Sequence, residues 1–527
     1  MILGIAVIVL AVFTMVALAV IASRNVALFR AKRAVKGTHV ADAASAHSLG
    51  SFGYKQELLR DMGGFSNFAV SFSVISILTG AVTLYGFGFN QGGPAVMGIG
   101  WPLVTIFVLL VAAAMAELAS AIPTSGAVYH WSSILGGSGW GWFTGWMNLL
   151  GQVTILAAID FGCAGFVGSL LFDSPTQAQL VAVFGVILLS HAVLNHIGIR
   201  WTAKLNDLSA IYHLVGVFAI LVVLAYLTPT RPVSYLFDTS FSKATSVSTP
   251  YWFAFLIGLL QAQWTYTGYD ASAHTSEETI DAEVRAPWGI FSSVAVSSVF
   301  GFLMLALVTL SIKDPEAVAA AKDSAFRVAL EQAAGGFLGK ALVWMVTLAM
   351  WFCGLAAVTA SSRMLYAFSR DRAVPLSNQW AQVSTKFKTP AKAIWVVSLF
   401  AFLSALTPNV YAVVTSLSVI GLYVSYGTPL FLRVVAQLKG NWLEKDQGPW
   451  NLGKFSLSVN IVAVCWVIFI TVLFMIAPSD ITIVEGVVLT YATGKIFAVV
   501  CGALGLWYFF SVRKWFKGPG RAGSEVK

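Results

Sequence analysis

Apolar stretches of about 18–25 residues alternate with shorter polar segments along the chain, a length typical of helices that cross a bilayer. The first stretch, 1–23, holds no charge, and basic residues follow it rather than precede it. This order favours a retained helix over a cleaved signal peptide. Twelve further stretches, which we number core spans 1 to 12, begin near Ser66, Trp101, Trp140, Gln179, Leu208, Trp252, Pro287, Lys340, Ala391, Tyr411, Phe455 and Glu485.

The composition agrees with an all-α polytopic membrane protein. Of the 527 residues, 58% are hydrophobic and only 10% are charged, whereas soluble domains carry roughly 25% charged residues. So few charges cannot cover a soluble surface, which excludes a soluble enzyme, a nucleic-acid-binding protein and a secreted scaffold. The four cysteines lie in apolar stretches without the spacing of metal ligands, so neither a metal site nor a disulfide framework is indicated.

The basic residues indicate how the spans are oriented. If the segment after the first helix is cytoplasmic and the sides alternate, 25 of the 32 lysines and arginines lie on the cytoplasmic side and 6 lie outside. Lysine and arginine concentrate in cytoplasmic loops. We therefore predict thirteen spans with the N-terminus outside and the C-terminus inside, and the net charge of +9 reflects this orientation.

Core spans 1 and 6 carry matching glycine interruptions. Thr79-Gly80 in the first is repeated as Thr267-Gly268 in the second, 188 residues further on. Transporter sites often form where two helices lose their hydrogen-bond ladder near the membrane midplane. Free N–H groups there favour a carboxylate and free carbonyls accept from an ammonium group, so two breaks suit a zwitterion. The alternative is that both glycines only allow close helix packing.

The offset of 188 residues between the two Thr-Gly pairs predicts two repeats of five helices each. Because five is an odd number, the chain enters the second repeat from the opposite side of the membrane, and this repeat is therefore inverted. The chain therefore divides into an extra N-terminal helix (1–23), a cytoplasmic linker (24–62), the first repeat (63–227) and an outer loop (228–250). The second repeat (251–435), two peripheral helices (436–512) and a basic cytoplasmic tail (513–527) follow.

Ionisable residues inside the spans are the next candidates, because a charge at the bilayer centre costs about 2.5–3.5 kcal/mol on insertion scales. Asp160, midway along core span 3, is a candidate for substrate binding or coupling, or else a structural partner of a hydroxyl. Asp270, beside the second break, is a candidate for gating or proton coupling. Glu277 could form an inner-gate salt bridge or end the helix in solvent. His213 in core span 5 is a coupling candidate, although lone membrane histidines more often serve packing.

Three segments resemble one known family. Residues 117–129 (ELASAIPTSGAVY), Gly268-Tyr269-Asp270 with the following Glu277-Glu278-Thr279, and Arg363 to Pro375 are similar to signatures of the amino acid–polyamine–organocation superfamily. Two stretches, 145–152 and 268–274, resemble its amino acid/choline branch, which includes fungal GABA and choline permeases and plant bidirectional amino acid transporters.

The resemblance implies a LeuT-like fold, in which a 5+5 inverted-repeat core with two discontinuous helices is joined by two C-terminal helices. It implies that the first break holds the substrate carboxylate and the second the amine. Trp264 matches a gating aromatic of arginine/agmatine antiporters. The substrate-binding residues implied are Thr79, Gly80, Ala81, Val82, Trp264, Thr267, Gly268 and Tyr269, with Asp160 added from its position in the membrane.

The coupling residues depart from the family pattern. Many members place a lysine in core span 5, where this chain has His213. Histidine titrates near neutral pH, so proton coupling is retained as the expectation. Ser361 and Ser362 match hydroxyls near a sodium site of related transporters, which keeps sodium as the alternative ion.

We therefore expect a secondary transporter of amino acids or derived amines, with GABA and related small amino acids first, in the cytoplasmic membrane of a bacterium. Transport would be proton-driven or by exchange, without a cofactor and without enzymatic activity. The partners expected are a small-molecule substrate and membrane lipid, with the oligomeric state open. The alternatives are a permease for choline, polyamines or cationic amino acids, and a sensor of the same fold that does not transport; a cation channel is disfavoured because no filter sequence is present.

Overall fold

The computed structural model is an assembly of α-helices. It describes residues 1–35, 50, 53–172, 174–227, 229–243, 250–321, 324–404, 406, 408–443, 446–476 and 487–519. Within these residues, strand-like pairing is limited to one isolated parallel bridge between Met62 and Thr279.

The helices follow the apolar stretches of the sequence. In chain order they are α1 Ile2–Val35, α2 Gly64–Ile75, α3 Gly80–Thr83, α4 Tyr85–Gly92, α5 Trp101–Ala121, α6 Val128–Gly136, α7 Ser138–Leu171, α8 Gln177–His196, α9 Ile199–Tyr226, α10 Tyr251–Gly258, α11 Leu260–Thr265, α12 Ala271–His274, α13 Ala282–Leu310, α14 Pro315–Ala320, α15 Ala325–Ala334, α16 Gly336–Arg370, α17 Ser377–Trp380, α18 Ala391–Ser404, α19 Pro408–Leu438, α20 Ser456–Ile476, α21 Val487–Trp507 and α22 Arg513–Trp515. Short 3₁₀ or π segments add Val96–Gly100, Val233–Phe237, Ser276–Glu278, Gly453–Phe455 and Tyr508–Val512.

Eleven helical segments in the described part of the chain are long and apolar enough to cross a membrane. The two remaining predicted spans correspond to the interrupted run α10–α12 and to α18, which has only 14 residues. The prediction of an all-α polytopic membrane protein is therefore confirmed. The count of thirteen spans, the orientation and the inverted relation of the two repeats stay predictions.

The N-terminal helix is longer than the sequence indicated, since α1 continues past Ser23 to Val35. The added turns contain residues that tolerate a helix well, and the exposed side chains of Arg24 and Arg30 can extend their charges to water along aliphatic stems. The helix packs on α5, and the Asn25 side-chain amide donates to the Asn451 carbonyl at 2.8 Å. This extra helix is thus attached to the bundle through α5 and through the loop before α20.

Both predicted interruptions exist. The first lies between α2 and α3, where Ser76 adopts a left-handed backbone conformation with φ at 35°. The second lies between α11 and α12, where Gly268 has φ at 81°. A left-handed residue ends a helix because it turns the next N–H away from the ladder. The two breaks face each other across the bundle.

The glycine at each break is required by the opposite helix. A Cβ on Gly80 would lie 2.7 Å from Cα of Thr265 at the end of α11. A Cβ on Gly268 would lie 2.1 Å from Cγ1 of Val74 on α2. Each broken helix therefore approaches the other at its own glycine, and no larger residue fits at either position without a backbone shift.

Buried charges at one end of the bundle occur in closed pairs. Arg363 on α16 donates to both carboxylate oxygens of Glu278, at 3.0 and 3.2 Å, and both side chains are fully buried. Glu117 at the end of α5 pairs with Arg433 of α19 at 2.8 Å. A buried charge is tolerated when a partner of opposite sign and good geometry accompanies it.

Removal of one partner should therefore destabilise the protein strongly. Arg363→Met leaves Glu278 unpaired, and we expect the free energy of unfolding to fall by about 3–5 kcal/mol. The measurement is the apparent Tm of the purified protein in detergent. The matched control is Arg200→Met, because Arg200 pairs with Asp61 at 2.8 Å while 69% and 49% exposed, a setting worth about 1 kcal/mol or less. Equal Tm losses in the two variants would contradict the analysis.

Candidate functional site

A small cavity of about 10 Å³, room for about one water molecule, lies where the two broken helices meet α7 and α16. Its lining is mainly apolar, with hydroxyls, an indole and a thiol as polar groups, and none of the described residues that line it is charged. The residues are Val74, Ile75, Thr79, Gly80, Ile155, Ile159, Trp264, Thr267 and Cys353. Four of the predicted substrate-binding residues, Thr79, Gly80, Trp264 and Thr267, are brought together here.

The first break lies earlier than predicted. The non-helical residues are 76–79, and the N–H groups of Thr79 and Gly80 both turn back to the Ser76 carbonyl, at 2.7 and 2.9 Å. Ala81 and Val82, which we had expected in the open segment, instead belong to the helical turn α3 and do not line the cavity. The physical reason is Ser76, whose left-handed conformation ends α2 four residues before Gly80.

The second break opens over 266–270. Thr267 donates its hydroxyl to the Trp264 carbonyl at 2.6 Å, and the Gly268 N–H donates to the Tyr426 hydroxyl at 3.1 Å. The indole N–H of Trp264 has no partner among the described residues. Tyr269 is not part of the cavity lining, and its ring packs against that of Tyr426 at a tilt of 44°, with ring centroids 5.0 Å apart.

Asp270 is the centre of a fully buried hydrogen-bond cluster. Oδ2 accepts from the amides of Asn148 and Gln152 on α7 at 3.0 and 3.1 Å, and it lies 3.1 Å from Nε2 of His274. Oδ1 accepts from the Tyr426 hydroxyl at 2.7 Å. The Tyr426 hydroxyl also accepts a hydrogen bond from the Gly268 N–H. Asp270 is therefore linked to the second break through Tyr426, although it does not line the cavity.

His213 connects to the first break through Ser76. Its Nδ1 lies 2.8 Å from the Ser209 carbonyl and must therefore carry the hydrogen, since a carbonyl only accepts. Its Nε2 lies 2.7 Å from the Ser76 hydroxyl, which in turn contacts the Thr79 hydroxyl at 2.6 Å. A neutral imidazole satisfies every one of these contacts.

Asp160 is not brought to the cavity. Its Oδ2 lies 3.0 Å from Nδ1 of His191 on α8, and both side chains are fully buried. A Cβ on Gly354 would lie 1.8 Å from Oδ1 of Asp160, so the absence of a side chain at Gly354 leaves space for Asp160 and His191. Ile159, the preceding residue on α7, lines the cavity instead. The expectation that Asp160 contacts substrate thus finds no support in its position, because α7 directs its carboxylate toward α8.

Ser361 and Ser362 also lie outside the cavity. Ser361 donates to the Ala357 carbonyl of its own helix at 2.7 Å, and Ser362 donates to the Thr359 carbonyl at 3.0 Å. The residue of α16 in the cavity lining is Cys353, whose Sγ lies 3.2 Å from the Val74 carbonyl of the first broken helix.

A salt bridge closes the bundle beyond the second break. Arg370 at the end of α16 donates to both oxygens of Glu277, at 2.8 and 2.9 Å. Glu277 Oε1 also accepts the backbone N–H of Ser125, in the segment between α5 and α6, at 3.1 Å. Of the two earlier interpretations of Glu277, the structure therefore favours the salt bridge over a solvated helix end.

The chain before α2 covers this salt bridge. The Arg370 guanidinium stacks on the Tyr54 ring at 3.8 Å, and the Tyr54 hydroxyl donates to Asp371 at 2.8 Å. Burial, with Asp371 adding to it, raises the pKa of the Tyr54 hydroxyl well above its usual value. Tyr54 therefore stays a hydrogen-bond donor at physiological pH.

The sequence pointed to Asp270 itself, but not to most of the side chains that form hydrogen bonds with it. Asn148, Gln152, Tyr426 and His274 around Asp270 lie on three separate helices. Only His274 carried a sequence signal, because its spacing of four residues places it on the same helix face as Asp270. Cys353 lines the cavity, yet no local sequence pattern distinguishes it from the other three cysteines.

Comparison with known proteins agrees with this geometry. A family model described as amino acid permease matches residues 62–501. The chain is 36% identical over 499 residues to amino-acid permease BAT1 of Arabidopsis thaliana, covering 89% of this chain and 95% of that protein. It is 36% identical over 501 residues to the BAT1 homolog of Oryza sativa subsp. japonica, covering 89% and 94%. It is 28% identical over 521 residues to the GABA-specific permease of Saccharomyces cerevisiae, covering 94% and 90%.

The predicted resemblance to the amino acid–polyamine–organocation superfamily is thereby confirmed, and so is a role in amino acid transport rather than enzymatic catalysis. With its apolar helices and two apposed breaks, the chain belongs to the amino acid permease family.

Proposed function

We propose that this permease transports small zwitterionic amino acids, GABA among them, by alternating access around the two helix breaks. The observation that carries the proposal is the uncharged cavity at these breaks. The end of α11 can offer partly negative carbonyls to an ammonium group. The start of the helical run at Gly80 can offer N–H groups to a carboxylate once the bonds of the Thr79 and Gly80 N–H groups to the Ser76 carbonyl open. The name of the yeast relative, a GABA-specific permease, agrees with this substrate class.

The same cavity argues against cationic substrates. The two buried aspartates that could attract a second positive charge are already engaged, Asp160 by His191 and Asp270 by four neighbouring side chains. The wall that would face a substrate side chain consists of Ile155 and Ile159. Burial of an unpaired ammonium or guanidinium group against isoleucines is costly. We therefore place lysine, arginine and choline behind small neutral amino acids.

Inward opening requires the salt bridge between Glu277 and Arg370 to separate, since it joins α16 to the segment that follows the second break. Before that step the lining residues of the cavity are closed off, because Thr79, Trp264 and Thr267 are each at most 3% exposed. A sensor would bind the same ligand without this opening. A measurement of transport therefore distinguishes a permease from a sensor.

We propose protons as the coupling ion. Asp270 and His213 are fully buried ionisable groups, each linked by one hydroxyl to a helix break. Sodium has less support, because the hydroxyls of Ser361 and Ser362 donate to carbonyls of their own helix. As for location, the family and the apolar helices support a multi-pass membrane protein. The plant and fungal relatives give no support to the bacterial membrane that we expected.

Uptake into proteoliposomes tests the proposal. Radiolabelled GABA, alanine, glutamate, lysine, arginine, putrescine and choline are offered under a pH gradient, a sodium gradient, or with internal amino acid. We expect concentrative uptake of GABA or alanine under the pH gradient, and little uptake of lysine, arginine or choline. Binding without uptake in every condition would establish a sensor instead. Preferred uptake of a cation would contradict the substrate assignment.

The contact between the breaks gives a second prediction. Gly80→Ala places a methyl group against the backbone of Thr265, which forces α3 and α11 apart, so we expect GABA uptake to fall at least tenfold. The matched control is Gly505→Ala on α21, where an added Cβ has no heavy atom within 4 Å. Initial uptake rates are normalised to the amount of reconstituted protein. Full activity of the Gly80 variant would show that the close approach of the breaks is dispensable.

A further inference from the structure

His274 lies between the candidate coupling residue and the closed end of the transporter. It is the last residue of α12 and is fully buried. Nε2 lies 3.1 Å from Oδ2 of Asp270, and Nδ1 lies 2.9 Å from the backbone carbonyl of Ser125. The backbone N–H of the same Ser125 donates to Glu277, the acid of the inner salt bridge. One imidazole thus joins Asp270 to the segment that packs against that salt bridge.

Counting hydrogens shows what this position demands. The Ser125 carbonyl can only accept, so Nδ1 of His274 must carry a hydrogen. The contact between Nε2 and Asp270 then needs one further proton, on the ring or on the carboxyl group. The other neighbours of Asp270 are the amide groups of Asn148 and Gln152 and the hydroxyl of Tyr426, all of which donate. This set of donors favours a carboxylate, which leaves the proton on an imidazolium.

Loss of that proton breaks one of the two contacts. A neutral imidazole has a single N–H group, so it can donate to Asp270 or to Ser125 but not to both. If it keeps the stronger bond to the carboxylate, a bare Nδ1 lone pair faces the Ser125 carbonyl. Two lone pairs at 2.9 Å repel each other, which weakens the attachment of the segment 124–130 to α12.

The other charged groups around His274 are already paired. Glu277 and Glu278, which follow on the same segment, bind Arg370 and Arg363 of α16. His130, on α6, contacts Asp371 and Thr124, at 3.1 and 2.5 Å. The residues of α2 that bond to this region, Asn67 and Ser71, and those of α7 are uncharged. Asp270 is therefore the charged group that shares this proton with His274. A shift of the proton between the two keeps both contacts of the ring, so release of Ser125 requires the proton to leave the pair for water on the side of the inner gate.

We propose that His274 is a proton-operated latch on the inner gate. While it is protonated, it ties Ser125 to Asp270 and holds the gate shut; when the proton leaves, the segment 124–130 is released and the gate can open. Proton release and inward opening are then linked steps. This inference rests on the proposed proton-coupled transport, to which it adds a positioning residue and an order of events.

The test is hydrogen–deuterium exchange measured by mass spectrometry on the full-length protein in nanodiscs, from pH 5.5 to 8.5. Exchange in peptides that cover 124–130 is corrected for the intrinsic pH dependence of amide exchange. In the wild type we expect corrected exchange to rise with pH, by up to about tenfold per pH unit, which is the limit for one linked proton. A flat corrected profile would overturn the proposal without any reference to transport.

Variants identify the titrating group. In His274→Gln the side chain cannot replace both ring N–H groups, so it cannot bond to Asp270 and to the Ser125 carbonyl in the same way. At every pH, exchange in this variant should therefore equal the exchange of the wild type at high pH. Asp270→Asn removes the anion that stabilises the imidazolium, so it should shift the rise toward lower pH. The matched control is His196→Gln on α8, a histidine outside the proposed coupling groups whose Nδ1 accepts from the Trp395 indole at 3.2 Å, and we expect it to keep the wild-type profile in 124–130. A wild-type profile in His274→Gln would overturn the assignment.

Transport separates this inference from the function on which it rests. In proteoliposomes, His274→Gln should still exchange external GABA for internal GABA. Its accumulation of GABA under a pH gradient should be at least tenfold lower than that of the wild type. Unchanged gradient-driven accumulation in this variant would overturn the latch. If the wild type itself shows no uptake driven by a pH gradient, the proposed coupling fails, and the exchange profile of 124–130 still decides whether His274 controls the segment.

Discussion

The arrangement of the whole molecule depends on the contact between two interrupted helices. Gly80 lies against the backbone of Thr265, and Gly268 lies against Val74, so each helix fits the other only at its own break. A break in the hydrogen-bond ladder is tolerated inside a membrane only where protein or a lined cavity surrounds it. The surrounding helices α7, α16 and α19 supply that enclosure, and the cavity forms where their side chains leave room.

The second constraint is the cost of charge in a buried setting. The acids nearest the breaks or the closed end each have a partner: Asp160 has His191, Asp270 has a set of donors and His274, and Glu277 and Glu278 have arginines. Pairing keeps the charges away from the cavity, which stays neutral and lined by isoleucine, threonine and tryptophan. The chemistry of the site therefore comes from the backbone at the helix ends, which suits a zwitterion of small size.

Sequence reasoning predicted what depends on periodicity and local composition. Span length and the positions of Thr79-Gly80 and Thr267-Gly268 followed from patterns within a few residues, whereas for Glu277 the sequence left a salt bridge and a solvated helix end as alternatives. The exact opening of the first break did not follow from such patterns, because it depends on the backbone conformation of Ser76, a residue that has no strong preference for the left-handed region. The partners of Asp160 and Asp270 lie on other helices, and a single sequence holds no record of which helix faces which.

The central claim is that a zwitterion binds between the two breaks. The most direct measurement is a cryo-electron microscopy structure of the protein in nanodiscs with saturating GABA. The account predicts ligand density next to Thr79, Gly80, Trp264 and Thr267, with the carboxylate toward Gly80 and the amine toward the end of α11. Density next to Asp160 and His191, with the cavity between the breaks unchanged, would contradict it.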